Sequence, residues 1–404
     1  MASIRVHKYG GSSVATMDKL HKVASRSVEL QRQGTQLVLV VSAMGGRTDH
    51  LLGLARQVSR DPPRRELDML LSVGERITTA LLAMAIAEQG GSAISLTGSQ
   101  CGIITDTSHA QARIIEVRPV RVFEGLEAGH IVIVAGFQGV SIDKEVTTLG
   151  RGGSDTTAVA LAAALGAETC EIYSDVDGVW DADPRLVEDA TRIDRLASGE
   201  MLAMGLSGAK VLAPEAIDYA RRHNIAIHAR SAFADGRGTV VVNNEPPGTG
   251  TARAVVGDRD ILIARARGSS ADIDEFSADL LPGPLRCLHA QKNLLNDVAD
   301  LLLVLSLKDE PDPGGAAERI KLVAGGRVEL DFVGNSGMVS VVGTGIYEQA
   351  ALWRRTLEEL ASLAVSTSIW WSDPFGLHLV VPQQDLDGSV HILHQRLTTS
   401  KQIA

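Results

Sequence analysis

Leu149-Gly150-Arg151-Gly152-Gly153-Ser154-Asp155-Thr156-Thr157 runs directly into an alanine- and leucine-rich stretch, 157–165, with the composition of a buried helix. Glycines, a guanidinium, a carboxylate and hydroxyls therefore gather where a helix begins. The unpaired N–H groups and the dipole of a helix N-terminus favour an anion at such a place. Asp155 reads in two ways, as a cap on the helix or as part of a site. Arg151, flanked by glycines, has no packing role to fill and suits a bidentate contact with a carboxylate.

Outward from this segment the first 243 residues alternate between strands and helices. The short apolar runs at 37–41, 131–135 and 225–227 suit strands buried on both faces of a parallel sheet. Met17, Leu20, Ala24 and Val28 form a helical stripe that fits ordinary core packing. Strands that alternate with helices predict an α/β layered domain whose ligands sit at the carboxyl ends of the strands. The turn-forming residues Asn243, Asn244, Pro246, Pro247, Gly248 and Gly250 break the pattern, so 244–253 reads as a linker. Beyond it, strand-like runs at 261–264, 301–305 and 338–342 are separated by one helical stretch each. A helix at 347–363, a strand at 377–381 and a helix at 386–397 follow. This texture predicts compact α+β modules over 254–404.

Composition narrows the function. A chain of 404 residues with 45% hydrophobic and 22% charged residues exceeds one ordinary domain and reads as a soluble globular enzyme. A net charge of -10 argues against a nucleic-acid surface, which needs a basic stripe. Cys101, Cys170 and Cys287 lie far apart without metal-type spacing, which favours a reducing cytoplasm over a disulfide framework. No run approaches ~18 uninterrupted apolar residues, so no membrane span is expected.

Two more segments carry chemistry. Lys8-Tyr9-Gly10-Gly11-Ser12-Ser13 follows a strand at 4–7. Paired glycines admit a ligand close to the backbone, and the lysine adds a mobile charge, although the order is not that of a Walker loop. Tyr173-Ser174-Asp175-Val176-Asp177-Gly178-Val179-Trp180-Asp181-Ala182-Asp183-Pro184-Arg185 follows another strand and reads as a nucleotide loop, with an aromatic for the base and an arginine for phosphates. Its four aspartates also admit calcium, but without the ligand order of an EF-hand. Glycine-rich turns with Lys8 and Arg151 together point to phosphoryl transfer.

These segments recur in a known order. With Val41-Ser42-Ala43-Met44-Gly45, Gly74-Glu75, Leu96-Thr97-Gly98-Ser99-Gln100, Phe137-Gln138-Gly139 and Gly208-Ala209-Lys210-Val211-Leu212, the chain resembles the aspartate kinases of the amino-acid kinase superfamily over residues 4–240. The resemblance implies a three-layer αβα domain with a mainly parallel sheet over 1–243, followed by tandem ferredoxin-like ACT modules. It implies ATP with Mg²⁺ on its phosphates, L-aspartate as acceptor, and a homodimer or higher homo-oligomer through the ACT-like region. The product would be 4-phospho-L-aspartate, the first step toward the aspartate-derived amino acids. Lys8, Asp155 and Lys210 take the catalytic roles, with Lys8 helped by the N–H groups of Gly10 and Gly11 and Asp155 holding the cations. Ser42, Thr48, Glu75, Arg151 and Ser154 take substrate binding, with Glu75 on the ammonium and Arg151 on a carboxylate. Gly10, Gly11, Ser12, Ser174, Asp175, Trp180 and Arg185 take the nucleotide. A carboxylate acceptor is already ionised at neutral pH, so positioning and positive charge carry such a reaction.

The chain departs from the pattern in places. Ser12 and Ser174 stand where threonine is common, Trp180 where tyrosine is, and Ala213 and Glu215 where a histidine and a basic residue are. Val339 to Gly345 resembles the opening of the second ACT module. There Tyr347-Glu348-Gln349 replaces a proline-glycine turn, and Trp370-Trp371 occupies the place of a polar effector contact. Dimerisation is therefore the favoured role of this region. A kinase of glutamate, an N-acetylated acid or a modified aspartate, a non-catalytic amino-acid-binding paralogue, and a dinucleotide-binding protein remain as alternatives.

Overall fold

The computed structural model describes residues 4–398 apart from 235, 244–249, 282–284, 296, 309 and 311–312. The chain divides into two compact units. The first comprises Met1–Val179, Arg192–Leu202 and Lys210–Pro246, and the second Trp180–Thr191, Ala203–Ala209 and Pro247–Ala404.

The first unit is built on an eight-stranded sheet. From one edge to the other its strands are Arg195–Ala197, Thr239–Val242, Ala226–Ser231, Thr169–Ser174, Ile4–Tyr9, Gln36–Val41, Ile131–Ala135 and Ala93–Leu96. Every neighbouring pair is parallel except Ala226–Ser231 with Thr239–Val242. Leu37, Leu39, Val41, Ile131 and Ile133 face Leu20, Val23, Ala24 and Val28 of helix Met17–Arg32 and Leu82 and Ile86 of helix Val73–Glu88. Helix Gly153–Ala164 also packs on the central strands. Burial on both faces explains why these strands read as unbroken apolar runs. Tyr9 pairs with both Val41 and Tyr173, Val41 with Ala135, and Ser231 with Ser174. Gly10, Ser42, Gly136, Asp175 and Ala232 consequently leave the sheet along one edge, its carboxyl edge. A smaller sheet orders Ile114–Val117, Ile103–Thr105, Gln138–Ser141 and Val146–Thr148.

Residues 64–88 are long and apolar enough by composition to cross a membrane. In the fold they form two helices, Arg64–Leu71 and Val73–Glu88, and the second packs on helix Met17–Arg32 and strands Ala93–Leu96 and Ile131–Ala135.

The second unit holds two four-stranded antiparallel sheets. One orders Arg286–Leu295, Val298–Ser306, Ile261–Ser269 and Glu329–Val333, and the other Ala254–Asp258, Ser336–Val342, Gly376–Pro382 and Trp370–Asp373. The modules are therefore nested, not tandem: Ala254–Asp258 joins the later sheet, and the whole earlier sheet lies between its first two strands. Sequence reasoning passed over Arg286–Leu295 because this edge strand is largely exposed and lacks an apolar alternation. The expected linker 244–253 falls partly outside the described residues. Gly250 and Arg253 are already bonded to the carbonyls of Thr344 and Val342. The unit also recruits Trp180–Thr191, whose Ala182, Val187 and Ala190 join an apolar cluster with Val255, Val341, Leu393 and Leu397. Inside it, the buried His394 sets Nε2 2.9 Å from Asp181 Oδ1, while Thr191 donates its N–H and hydroxyl to the same carboxylate.

Candidate active site

Lys8 is the penultimate residue of strand Ile4–Tyr9, and its Nζ lies 2.5 Å from Asp155 Oδ1, with both side chains about one-tenth exposed (11% and 9%). Asp155 stands in the first turn of helix Gly153–Ala164, whose cap position is Gly152 in the left-handed conformation (φ 72°) without a side-chain cap. The capping alternative for Asp155 is thereby set aside: the carboxylate reaches across to the lysine. A buried pair of this kind is worth little for stability but fixes an ammonium in space.

Gly10 and Gly11 differ in what they do. The N–H of Gly10 donates to the carbonyl of Tyr173 at 3.0 Å, extending the ladder between the two strands. It is therefore engaged within the protein, and the donor role expected of Gly10 is not open to it. What Gly10 supplies is room, since a Cβ there would lie 3.5 Å from Lys8 Nζ. A Cβ on Gly11 would fall 2.7 Å from the Ala43 carbonyl oxygen, so the first two loops of the sheet edge touch through it. Ser12 is half-buried, and its carbonyl accepts a hydrogen bond from Lys19 Nζ at 2.8 Å. Lys19 escaped sequence reasoning; its only signal was its place one turn after the helix cap Thr16.

On the next strand Ser42 donates its N–H to Tyr9 at 3.1 Å, and Ala43 donates its N–H to Glu75 Oε1 at 3.0 Å. Glu75 is 3% exposed, and burial pushes its carboxyl up to about 7 against the pull of the Ala43 N–H. Its Oε2 is buried without a hydrogen-bond partner among the described residues. Gly74 allows this approach, because a Cβ there would sit 2.8 Å from that of Ala43. Thr48 is half-buried in the first turn of helix Arg47–Val58.

Arg151 is exposed between Gly150 (φ 77°) and Gly152, and it makes no ion pair among the described residues. Ser154 is buried where strand Ile131–Ala135 ends, and a Cβ on Gly136 would lie 2.7 Å from its Oγ. Lys210 is exposed in the stretch before helix Pro214–His223, and a Cβ on Gly152 would meet that of Ala213 at 2.2 Å. The small Ala213, noted above as a departure, is thus what lets this stretch lie against the Arg151 turn.

Ser174 ends the strand Thr169–Ser174 beside that of Lys8, and Asp175 follows it. Ser174 Oγ accepts from the N–H of Val176 at 3.3 Å, which leaves Asp175 exposed at the turn. Trp180 and Arg185 belong to the second unit. Trp180 is half-buried against its apolar cluster, and Arg185, exposed, pairs with Asp183 at 2.6 Å. Three of the four aspartates that admitted calcium are engaged separately, Asp177 with Arg192, Asp181 with Thr191 and His394, and Asp183 with Arg185, while Asp175 is exposed. Among the described residues no three metal-type side chains converge.

A parallel-sheet edge carrying a lysine locked to a carboxylate, a glycine-framed arginine and a half-satisfied glutamate defines a class. The sequence model of the amino acid kinase family matches residues 3–231. Aspartokinases are similar over nearly the full length: that of Mycobacterium tuberculosis is 43% identical over 96% of this chain and 95% of its own. That of Corynebacterium glutamicum is 38% identical over 97% and 95%. The chain belongs to the aspartokinases within the amino acid kinase family. Its fold is shared with aspartokinase III of E. coli, solved in complex with aspartate and ADP (TM-score 0.82, 24% identity, 97% of this chain and 99% of that one). The aspartate kinase of Synechocystis is 32% identical, with a TM-score of 0.56 over 98% of this chain and 70% of that one.

Proposed function

We propose that this chain transfers the γ-phosphoryl group of ATP to the side-chain carboxylate of L-aspartate, giving 4-phospho-L-aspartate. The observation that carries the reading is the Lys8–Asp155 pair at the carboxyl edge of the sheet. An ammonium held there can follow the phosphoryl oxygens as negative charge crowds between donor and acceptor. Gly11 and Ser12 line the phosphate turn, and Lys210 is the second cation for the phosphates. Glu75 takes the substrate ammonium on its unpaired Oε2, Arg151 its carboxylate, and Ser42, Thr48 and Ser154 its remaining polar edge. A free amino acid offers both charges, which favours it over an N-acetylated acid.

Ser174 and Asp175, at the carboxyl edge of the sheet, serve the nucleotide. Mg²⁺, which keeps most of its waters, neutralises phosphate charge when it arrives on ATP, and Asp155 and Asp175 are the carboxylates of this edge that fit it. The cytoplasm, where ATP and free aspartate coexist, is the compartment, and the nested modules serve dimerisation.

The test is ADP release with aspartate, glutamate and N-acetylglutamate as acceptors, repeated with lysine and threonine. Aspartate alone should support turnover. Turnover with N-acetylglutamate but not aspartate would overturn the substrate, and strong inhibition by lysine would overturn a purely dimerising second unit.

A further inference from the structure

Asp68 lies on helix Arg64–Leu71 and is fully buried, 0% exposed, yet it belongs to none of the groups assigned above. Its carboxylate is saturated by donors that come from two other segments. Thr148 donates its hydroxyl to Oδ1 at 2.5 Å, His109 Nδ1 lies 2.6 Å from Oδ2, and the N–H of Ala110 is shared between both oxygens at 3.1 and 3.2 Å. A carboxylate can only accept, so Nδ1 of His109 carries the proton in this contact.

The place of these partners matters more than their number. Thr148 is the last residue of strand Val146–Thr148 and immediately precedes the Leu149–Gly152 turn. Its carbonyl accepts from the N–H of Ala112 at 2.9 Å, which ties the 109–112 stretch to the same point. Ala110 holds a left-handed backbone (φ 71°), a conformation an alanine adopts only when its surroundings impose it. Its carbonyl faces Gly150, on which a Cβ would lie 3.5 Å away. The turn beyond carries Arg151 between two left-handed glycines, residues that add freedom rather than remove it. Arg151 itself gains no fixing contact among the described residues. Whatever places its guanidinium must therefore act at the base of the turn.

We infer that Asp68 is a positioning residue for substrate binding: by clamping Thr148 and Ala110 it sets the base of the turn and hence where Arg151 meets the substrate carboxylate. The inference rests on Arg151 serving that carboxylate. Asp68 touches no reacting atom, and its effect reaches the substrate through Arg151. The nucleotide side of the site should feel its loss little, because Ser174 and Asp175 lie on a separate segment.

The experiment is a double-variant cycle on the full chain, with KM for aspartate and for MgATP measured in each variant. Asp68→Asn should raise KM for aspartate roughly 10-fold, the order expected when a charge-assisted contact is lost, and leave KM for MgATP within about twofold. Thr148→Val, which removes one donor and keeps the shape, should reproduce the same split more weakly and serves if Asp68→Asn does not fold. In the Arg151→Ala background the Asp68 effect should vanish, since a residue acting through Arg151 has nothing left to act on. If Asp68→Asn and Thr148→Val lower only the melting temperature, or if their effects add to that of Arg151→Ala, the inference is overturned. If Arg151→Ala itself leaves KM for aspartate unmoved, the assignment of Arg151 is what has failed.

Discussion

Asp68 and Glu75 sit seven residues apart in sequence, on consecutive helices of one unit, and both are buried. Asp68 is surrounded by a hydroxyl, an imidazole and a backbone N–H, so every oxygen is matched. Glu75 accepts from the N–H of Ala43 and keeps Oε2 unmatched among the described residues. The first arrangement locks protein to protein. The second leaves an oxygen that, in the proposed function, accepts from the substrate ammonium. Burial of a carboxylate therefore says little alone; the donors around it tell a clamp from a binding group.

The contrast can be broken in several ways. The Lys8–Asp155 pair, proposed as catalytic, supplies the upper reference: Lys8→Ala should reduce turnover about 10²–10³-fold, as loss of one transition-state donor does, with steady-state ADP release as the measure. A fall of only twofold would remove Lys8 from the chemistry. Next comes Asp68→Ala, which strands three donors and should lower unfolding free energy by about 3 kcal/mol, read by denaturant titration. An unchanged midpoint would mean that Asp68 is no clamp.

Glu75→Gln should do the opposite. An amide still accepts from the Ala43 N–H but avoids the cost of a buried charge, so stability at alkaline pH should hold or rise. KM for aspartate should climb roughly 10–100-fold with the loss of the ammonium partner. Equal destabilisation by both variants would erase the distinction.

A subtler mark is pH. Glu75 has a folded-state carboxyl raised to about 7 by burial, above its ordinary value near 4.5. The unfolded chain gives up this proton first, so stability without substrate should decline as pH rises from about 4.5 to about 7 and then level off. The decline should be absent in Glu75→Gln, and kcat/KM for aspartate should rise as pH passes about 7. Asp181 has the reverse sign. Burial alone would raise its carboxyl, but His394 and Thr191 overcome this and hold it below its ordinary value, so its contribution is lost as the medium becomes acidic. The smallest effect belongs to the exposed Arg118–Glu116 pair, where Arg118→Ala should leave both melting temperature and turnover unchanged.

Much of the first unit was legible in the sequence because its signals are local. The strand Gln36–Val41 beside that of Lys8 is a short apolar run, and Asp155 stands at a glycine-marked helix start. Its pairing with Lys8 was available only through the resemblance. Asp68 was not legible at all: in Arg64–Leu71 it looks like any acid on a helix, and its hydroxyl partner lies 80 residues away. Gly10 misled because a glycine pair shows where a ligand could approach but not which N–H the sheet has already taken. The Asp181–His394 contact spans 213 residues and leaves no local trace. The nested strand Ala254–Asp258 escaped for the same reason, since nothing in five residues announces a partner beyond a whole intervening module.

That nesting has a consequence for a chain made from its N-terminus. When Ala254–Asp258 leaves the ribosome its sheet partner Ser336–Val342 does not yet exist, and the earlier module must close first. Asp181 waits longer still, until His394 is synthesised near the far end. The eight-stranded sheet has all of its strands by Val242, whereas Trp180–Thr191, threaded out of its middle, finds its seat only among the last elements to appear. Trp180–Thr191 is thus finished later than the sheet it leaves, and any break in synthesis before the helix Leu386–Leu397 leaves it without the apolar partners it packs on.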